Sequence, residues 1–373
     1  MRKAWRDLAL AVALGLACVV AVVAVWGDGM ADGTAASHAA MAPAGSMPIA
    51  VIGDSNSHSY QDSITFPPGS EERGGALRSH TFQWIEVIAR LRQAQLDPGP
   101  WVTWGRPGDV AWLRELMGLS AGRAPRKEDY LYNFANSGAT CKHVMGERLG
   151  QRFRQAPRLV ALMDAHPERW RNGVVVIRIG DNDWAGVRDI QRRDPASPEL
   201  QKVTDYCAGQ VEAAIHLIHS RHPTTRIMVV GVIGLAIDPS PLRPQPSARE
   251  TANLQAATDR FNRALRAVAS GPYLAFFDDA AWFDERWGSL DALHKPTAVN
   301  IGTVLRVTNT IGDEPDHAQL ADNHAGLAWN AIWAQSLVAH LKSEFDLPLT
   351  PIGDDELARF VASQLVPVRA PGS

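Results

Sequence analysis

Short runs of apolar residues recur along this chain, and longer stretches with helical periodicity separate them. The runs fall at 49–52, 130–135, 174–179, 226–233 and 273–277. Where such a run has no polar alternation, it suits a strand covered on both faces, as in a parallel sheet. Apolar residues at helical spacing between and after the runs predict helices over 81–93, 153–165, 200–220, 248–269 and 325–345. Strands alternating with helices in this way predict an α/β fold, with a central parallel sheet between two helix layers. Right-handed crossovers put every strand-to-helix loop on one edge of that sheet, where ligands bind. Ser55, Gly138 and Asn182 all follow strands, so all three project from that edge.

The first 26 residues stand apart from this pattern. Arg2, Lys3 and Arg6 precede 19 uncharged residues, Leu8 to Trp26. As a helix, that run would be roughly 28 Å long, against about 30 Å for the hydrocarbon core of a bilayer. Leading basic residues keep their end in the cytoplasm, so the chain beyond the run is expected to be exported. Residues 1–27 therefore read as a signal peptide or a membrane anchor, with the length of the run favouring an anchor. Cys18 does not fit a lipoprotein site, because further apolar residues come after it. Residues 28–47, rich in Ala, Gly, Ser and Met, read as a flexible linker. The expected location is periplasmic or extracellular, with membrane contact through residues 8–26 if they are retained.

Residues 48–373 are expected to form one domain with insertions at 56–80, 94–128 and 280–322. Lys and Arg number 37 against 40 Asp and Glu, a net charge of −3, which gives no basic stripe for a nucleic-acid partner. Cys141 and Cys207 are the only cysteines beyond the leader. In an oxidising compartment they could pair, or they could be two separately buried thiols. Neither sits in a close Cys/His cluster of the kind that binds metal. His216, His219 and His222 share a helical face, but histidines near a helix C-terminus are favourable without metal. Asp181 and Asp183 could ligate Mg²⁺ in a phosphatase, yet no Walker A or His-Glu-x-x-His motif accompanies them. Trp184, Trp282 and Trp287 could stack on sugars or simply fill the core.

The chemistry concentrates in three loops. Gly53-Asp54-Ser55 places a hydroxyl just past the first strand. Asn136-Ser137-Gly138-Ala139 ends the second, where Gly138 can present its backbone N–H. Gly180-Asp181-Asn182-Asp183 ends the third, where the Asn182 amide can donate above the sheet. The N–H groups of Ser55, Gly138 and Asn182 together suit an oxyanion. These blocks, in this order, resemble those of the SGNH (GDSL-type) serine hydrolase superfamily, and the resemblance covers most of 48–345. It implies a flavodoxin-like three-layer sandwich with strand order 2-1-3-4-5, and ester hydrolysis through an acyl-serine without metal or organic cofactor.

That family usually carries Asp-x-x-His just before its last helix. Asp291-Ala292-Leu293-His294 has the spacing but lies some thirty residues too early. Asp322-Asn323-His324 is one residue shorter but abuts the final helix. Position relative to the fold outweighs letter spacing, so His324 is the expected base and Asp322 its orienting acid, with His294 and Asp291 as the alternative pair. The expected substrate is a small ester, with O-acetyl groups on glycans suited to export and to the tryptophans. A non-hydrolytic glycan-binding or scaffold protein on the same fold, or an acyltransferase, stands as the alternative.

Overall fold

The computed structural model describes residues 45–119, 123–146, 154–234, 246–288 and 297–365, together with Trp5 and Gly15. The expected spanning run at 8–26, most of the linker and the Asp291/His294 pair lie outside the described residues. Among the described residues, no helix is long and apolar enough to cross a membrane.

Five parallel strands form the central sheet: β1 (Met47–Gly53), β2 (Leu96–Asp97), β3 (Val174–Arg178), β4 (Arg226–Val230) and β5 (Leu274–Phe277). Their spatial order is β2-β1-β3-β4-β5, as the resemblance implied. Ile52, Ile177, Val229 and Phe276 lie side by side in one row across it. Because side chains alternate across a strand, each run feeds two cores. Ile49, Val51, Val174, Val176 and Met228 face the core built with α1 (Trp84–Leu91) and α5 (Leu327–Phe345). Ala50, Ile52, Val175, Ile177 and Val229 face the core built with α2 (Gln155–Asp164), α3 (Pro198–Arg221) and α4 (Ala248–Val268). Strands buried on both faces leave no room for polar alternation, which is why the runs are solid.

Local chemistry sets the helix starts. Ser197 and Ser247 cap α3 and α4 through their hydroxyls. Gln83 and Glu86 form a reciprocal capping box on α1. Glu86 is buried, and it also accepts from the backbone N–H of Tyr60 and Gln61, at 3.0 and 3.2 Å. Burial pushes this carboxyl up to about 7. The same side chain therefore starts α1 and anchors the insertion after Ser55.

Several expectations need correction. The second strand position, expected at 130–135, is shared: Leu96–Asp97 pairs with the start of β1, and residues 132–134 bridge its end. There Val51 N–H donates to Tyr132 O at 3.0 Å and Phe134 N–H to Val51 O at 2.8 Å. Residues 94–128, expected as an insertion, contain β2, a helix at Gly108–Leu116 and the strand Trp101–Trp104, which pairs antiparallel with Lys127–Tyr130. Residues 280–322 hold most of a helix, Asp279–Arg286, and a small sheet of Ala298–Ile301, Leu305–Ile311 and His317–Gln319. Residues 302–304 turn the antiparallel pair of that sheet, Ala298–Ile301 with Leu305–Ile311. A C-terminal helix, Asp354–Gln364, was not expected; its Leu357 and Val361 join the core beside α5.

Cys141 and Cys207 form a disulfide, with Cα atoms 5.1 Å apart across 66 residues of sequence. It pins the segment after the second strand position to the middle of α3. In the chain-entropy account, a cross-link over a loop of this length stabilises by about 4 kcal/mol. Cys207→Ser should therefore lower the urea-unfolding free energy by roughly 2–4 kcal/mol. Reductant should remove the difference between variant and parent; an unchanged midpoint would show that the bridge does not stabilise the fold.

Candidate active site

The site begins at the junction that ends β1. Gly53 N–H donates to Gln155 Oε1 at 2.7 Å, and Gln155 Nε2 donates back to Gly53 O at 2.8 Å. A Cβ on Gly53 would lie 2.7 Å from the Arg178 carbonyl, so only glycine allows β1 and β3 to run this close. The chain then turns helically, with Ser57 and His58 N–H both donating to Asp54 O at 3.1 Å. Ser55 sits at the head of that turn, partly exposed. Arg178 holds the same turn from β3: it donates to Asn56 O at 2.9 Å and to Asp279 at 2.7 Å.

Gly138 has a φ of +74°, the left-handed region that favours glycine, and a Cβ there would meet no protein atom within 4 Å. Its backbone conformation, rather than crowding by the protein, requires the glycine. Gly180 has a φ of +120°, and a Cβ on it would press on Phe261 at 3.1 Å. That turn delivers Asn182 in the first turn of a short helix, Asp181–Ala185. Asn182 Nδ2 donates to Ala139 O at 2.8 Å, which ties the second and third loops together. One amide hydrogen makes this bond, and a second is left for a ligand.

Asp322 and His324 precede α5. His324 Nδ1 lies 3.1 Å from Asp322 Oδ1, and His324 N–H donates to that oxygen at 3.2 Å. Asn323 between them has a φ of +63°, a kink that folds the short Asp-x-His spacing back on itself. Burial works against ionisation of Asp322, but the bond and charge of His324 and the two donors of Arg73 outweigh it. They hold the Asp322 carboxyl well below the usual carboxylate range. Ser55, Asn182, Asp322 and His324 line one cavity of about 330 Å³, with Trp184 and Trp329 in its wall. Gly138 is not among the residues lining it, but stands next to the Ala139 carbonyl that Asn182 grips.

Two carboxyls adjoin the cavity, buried Asp54 and half-buried Asp181 in its wall. Asp54 accepts from Asn56 N–H at 2.9 Å through Oδ1, while its Oδ2 has no partner. Burial pushes Asp54 up to about 8, and the charge of Asp181 adds to it. Burial also raises Asp181, whose Oδ2 accepts from Asn56 Nδ2 at 2.7 Å.

Other sequence candidates are placed elsewhere. His219 bonds Thr225 O at 3.0 Å and His222 meets Asp164 at 3.1 Å, while exposed His216 lies 3.8 Å from Glu212, so the helical trio does not converge. Asp183 is occupied by Cys141 N–H at 2.8 Å. Trp282 and Trp287 are buried around Trp329. Sequence reasoning missed Gln155 and Arg73. Arg73 N–H donates to Asp322 Oδ2 at 2.9 Å and its guanidinium bonds the same oxygen. Nothing in the local pattern of either residue marks it, because each acts across a long separation in sequence.

A hydroxyl, a histidine–carboxylate pair and an amide thus share one cavity at the ligand edge of a doubly covered parallel sheet. A sequence model of the GDSL-like lipase/acylhydrolase family matches residues 51–298, and the chain belongs to that family. It is accordingly an ester-hydrolysing enzyme. The matched span includes Asp291 and His294 and stops short of Asp322 and His324. Among solved structures, the lipase Lip_vut3 from a goat rumen metagenome is 14% identical, covering 67% of this chain and 90% of its own, with a TM-score of 0.34. An extracellular lipase from Streptomyces rimosus is 15% identical, covering 65% and 83%, with a TM-score of 0.36. No curated protein matches the chain.

The Asp54 environment has a measurable consequence. Folded Asp54 keeps its proton up to about pH 8, whereas an unfolded Asp releases it near pH ~4. The stability it contributes is full below ~4 and is lost as pH rises through about 8. Asp54→Asn carries no such proton, so its stability relative to the parent should rise steadily in urea titrations from acid to mildly alkaline pH. A gap that does not change with pH would contradict the assignment.

Proposed function

We propose that the protein is an exported serine esterase that hydrolyses carboxylic esters, with O-acetyl groups on glycans as the substrate class, through an acyl-serine intermediate. The reading is carried by Ser55, Asn182 and the Asp322–His324 pair sharing one cavity. His324 turns Nδ1 to Asp322, which leaves Nε2 for the Ser55 proton as Oγ attacks the ester carbonyl. Asp322 holds the imidazole tautomer and balances the imidazolium that forms. The N–H groups of Ser55 and Gly138 and the second hydrogen of Asn182 Nδ2 stabilise the tetrahedral oxyanion. His324 then gives its proton to the leaving alcohol, and water repeats the cycle to release the acid. Every step uses side chains and backbone of this chain, with no metal or organic cofactor.

Export is supported by the basic N-terminus ahead of the uncharged run at 8–26 and by the Cys141–Cys207 disulfide, a bond that persists in oxidising compartments. The glycan preference is supported by the cavity wall, where Trp184 and Trp329 stand beside Asn56 and Gln191. Indole rings in a cleft with polar neighbours are suited to packing against a sugar.

Incubation with a fluorophosphonate probe should label the folded protein at Ser55, and Ser55→Ala should abolish labelling. Well-folded parent protein that stays unlabelled would favour the glycan-binding alternative. With p-nitrophenyl acetate, His324→Ala should lose at least about 1000-fold in kcat and Asn182→Ala roughly 100- to 1000-fold. Full activity in His324→Ala would move the base to His294. Product analysis with an acetylated oligosaccharide and an added acceptor sugar separates hydrolysis, which yields free acetate, from transfer.

A further inference from the structure

We propose that Arg73 is a positioning residue for the esterase: its guanidinium ties the Asp322–His324 pair to the oxyanion loop at Ser137 and holds the two at a fixed separation. This rests on reading Ser55, His324 and Asp322 as nucleophile, base and orienter. It adds a role for the insertion after Ser55, which supplies Arg73.

Arg73 is 2% exposed and has a φ of +58°, with Gly74 at +97° and Gly75 at +51° next in the chain. A left-handed arginine costs energy that the surroundings must repay. The repayment is visible. Its N–H donates to Asp322 Oδ2 at 2.9 Å and Nη1 bonds the same oxygen. Nη1 also lies 2.9 Å from His324 Nδ1, but both are donors when that ring carries its proton toward Asp322, so Arg73 holds the histidine through the carboxylate and not by a direct bond. Nη2 points the other way and donates to Ser137 Oγ at 3.2 Å. Phe66 lies under the guanidinium at 4.6 Å and Tyr60 at 5.7 Å, which fixes its plane. Only a planar fork reaches two partners in two directions; an ammonium on a flexible stem does not.

The far end of this bridge is itself anchored. Ser137 N–H donates to His58 Nδ1 at 3.0 Å, which fixes His58 as the tautomer protonated on Nε2. That Nε2 donates to Asp62 at 2.8 Å. Burial, aided by the charge of Lys127, lowers His58 from its ordinary value. Burial opposes the charge on Asp62, but the bond and charge of His58, the Thr65 side chain and the N–H of Glu128 hold its carboxyl well below the usual range. Asp62, His58 and Ser137 resemble a second triad, but the Nδ1 lone pair already accepts the Ser137 N–H. His58 therefore pins the loop rather than activating a nucleophile. The chain Asp62–His58–Ser137–Arg73–Asp322–His324 thus runs from one edge of the site to the other, and Gly138 is the next residue after Ser137.

Steady-state kinetics of Arg73→Ala with p-nitrophenyl acetate test this. Expected is a fall of roughly 100-fold in kcat, the size of a misplaced catalytic pair, with KM within about threefold of the parent. Guanidinium ion below denaturing concentration should restore much of kcat, and methylammonium should not; Arg73→Lys should be nearly as impaired as Arg73→Ala. Parent-like kcat in Arg73→Ala, or a KM effect alone, would overturn the proposal. If Arg73→Ala does not fold by thermal melting, Arg73→Lys and Ser137→Ala carry the test, since Ser137→Ala removes the Nη2 bond and otherwise only the contact of Ser137 Oγ with His58 Nδ1 at 3.1 Å, leaving the Ser137 N–H bond to His58 in place. Parent-like kcat in both would likewise overturn it. Ser55→Ala and His324→Ala measured alongside keep the two levels apart. If they retain activity, the reading of the site fails; if they lose it while the Arg73 variants do not, only the role of Arg73 fails.

Discussion

The placement of Ser55 depends on a single backbone junction. At Gly53 the chain leaves a strand whose side chains are packed on both faces, and the Gln155 amide holds its N–H and its carbonyl at once. The carbonyl of Arg178 stands where a Cβ would be. The strand cannot slip by a residue without turning its apolar set to the wrong core. The turn that carries the hydroxyl therefore starts at a fixed height above the sheet, and Arg178 secures it from the neighbouring strand through Asn56.

Charges are buried around the site in matched pairs: Arg73 with Asp322, Arg178 with Asp279, Lys127 with Asp129. Burying such pairs is seldom favourable in itself, and removing one partner is costly because it strands the other. Their arrangement makes sense as positioning. Lys127 also donates to Ala135 O at 2.6 Å, just before the Asn136-Ser137-Gly138 turn. Asp279 also receives Trp333 Nε1 at 2.7 Å, which links the base of the Ser55 turn to the helix behind the base pair. The Ser55 turn, the Ser137–Gly138 turn and the Asp322–His324 segment are thus each fastened to one of these pairs.

The central sheet was legible because its strands are solid apolar runs, and burial on both faces leaves no other pattern. The small sheet at 298–319 and the pair formed by Trp101–Trp104 with Lys127–Tyr130 were not. Their strands are short, and polar residues such as Lys127, Asp129 and Asn309 take buried positions in them, so the sequence shows no apolar pattern there. Ser55 and Asn182 could be named because their blocks sit directly after strands. His324 was chosen over His294 by its position before the last helix, and the kink at Asn323 shows how a shortened spacing still brings the two side chains together. Arg73 was hidden in a polar, glycine-rich insertion, 249 residues from the carboxylate it binds. The pairing of Cys141 with Cys207 was likewise open until the distance between α3 and the second loop was known.

A crystal structure of the protein after reaction with a small fluorophosphonate tests the central claim most directly. The account predicts phosphorus bonded to Ser55 Oγ, one phosphonyl oxygen at about 3 Å from the Ser55 and Gly138 nitrogens and Asn182 Nδ2, and His324 Nε2 facing the ester. Phosphorus on another residue, or an oxygen turned away from these donors with His324 out of reach, would contradict it.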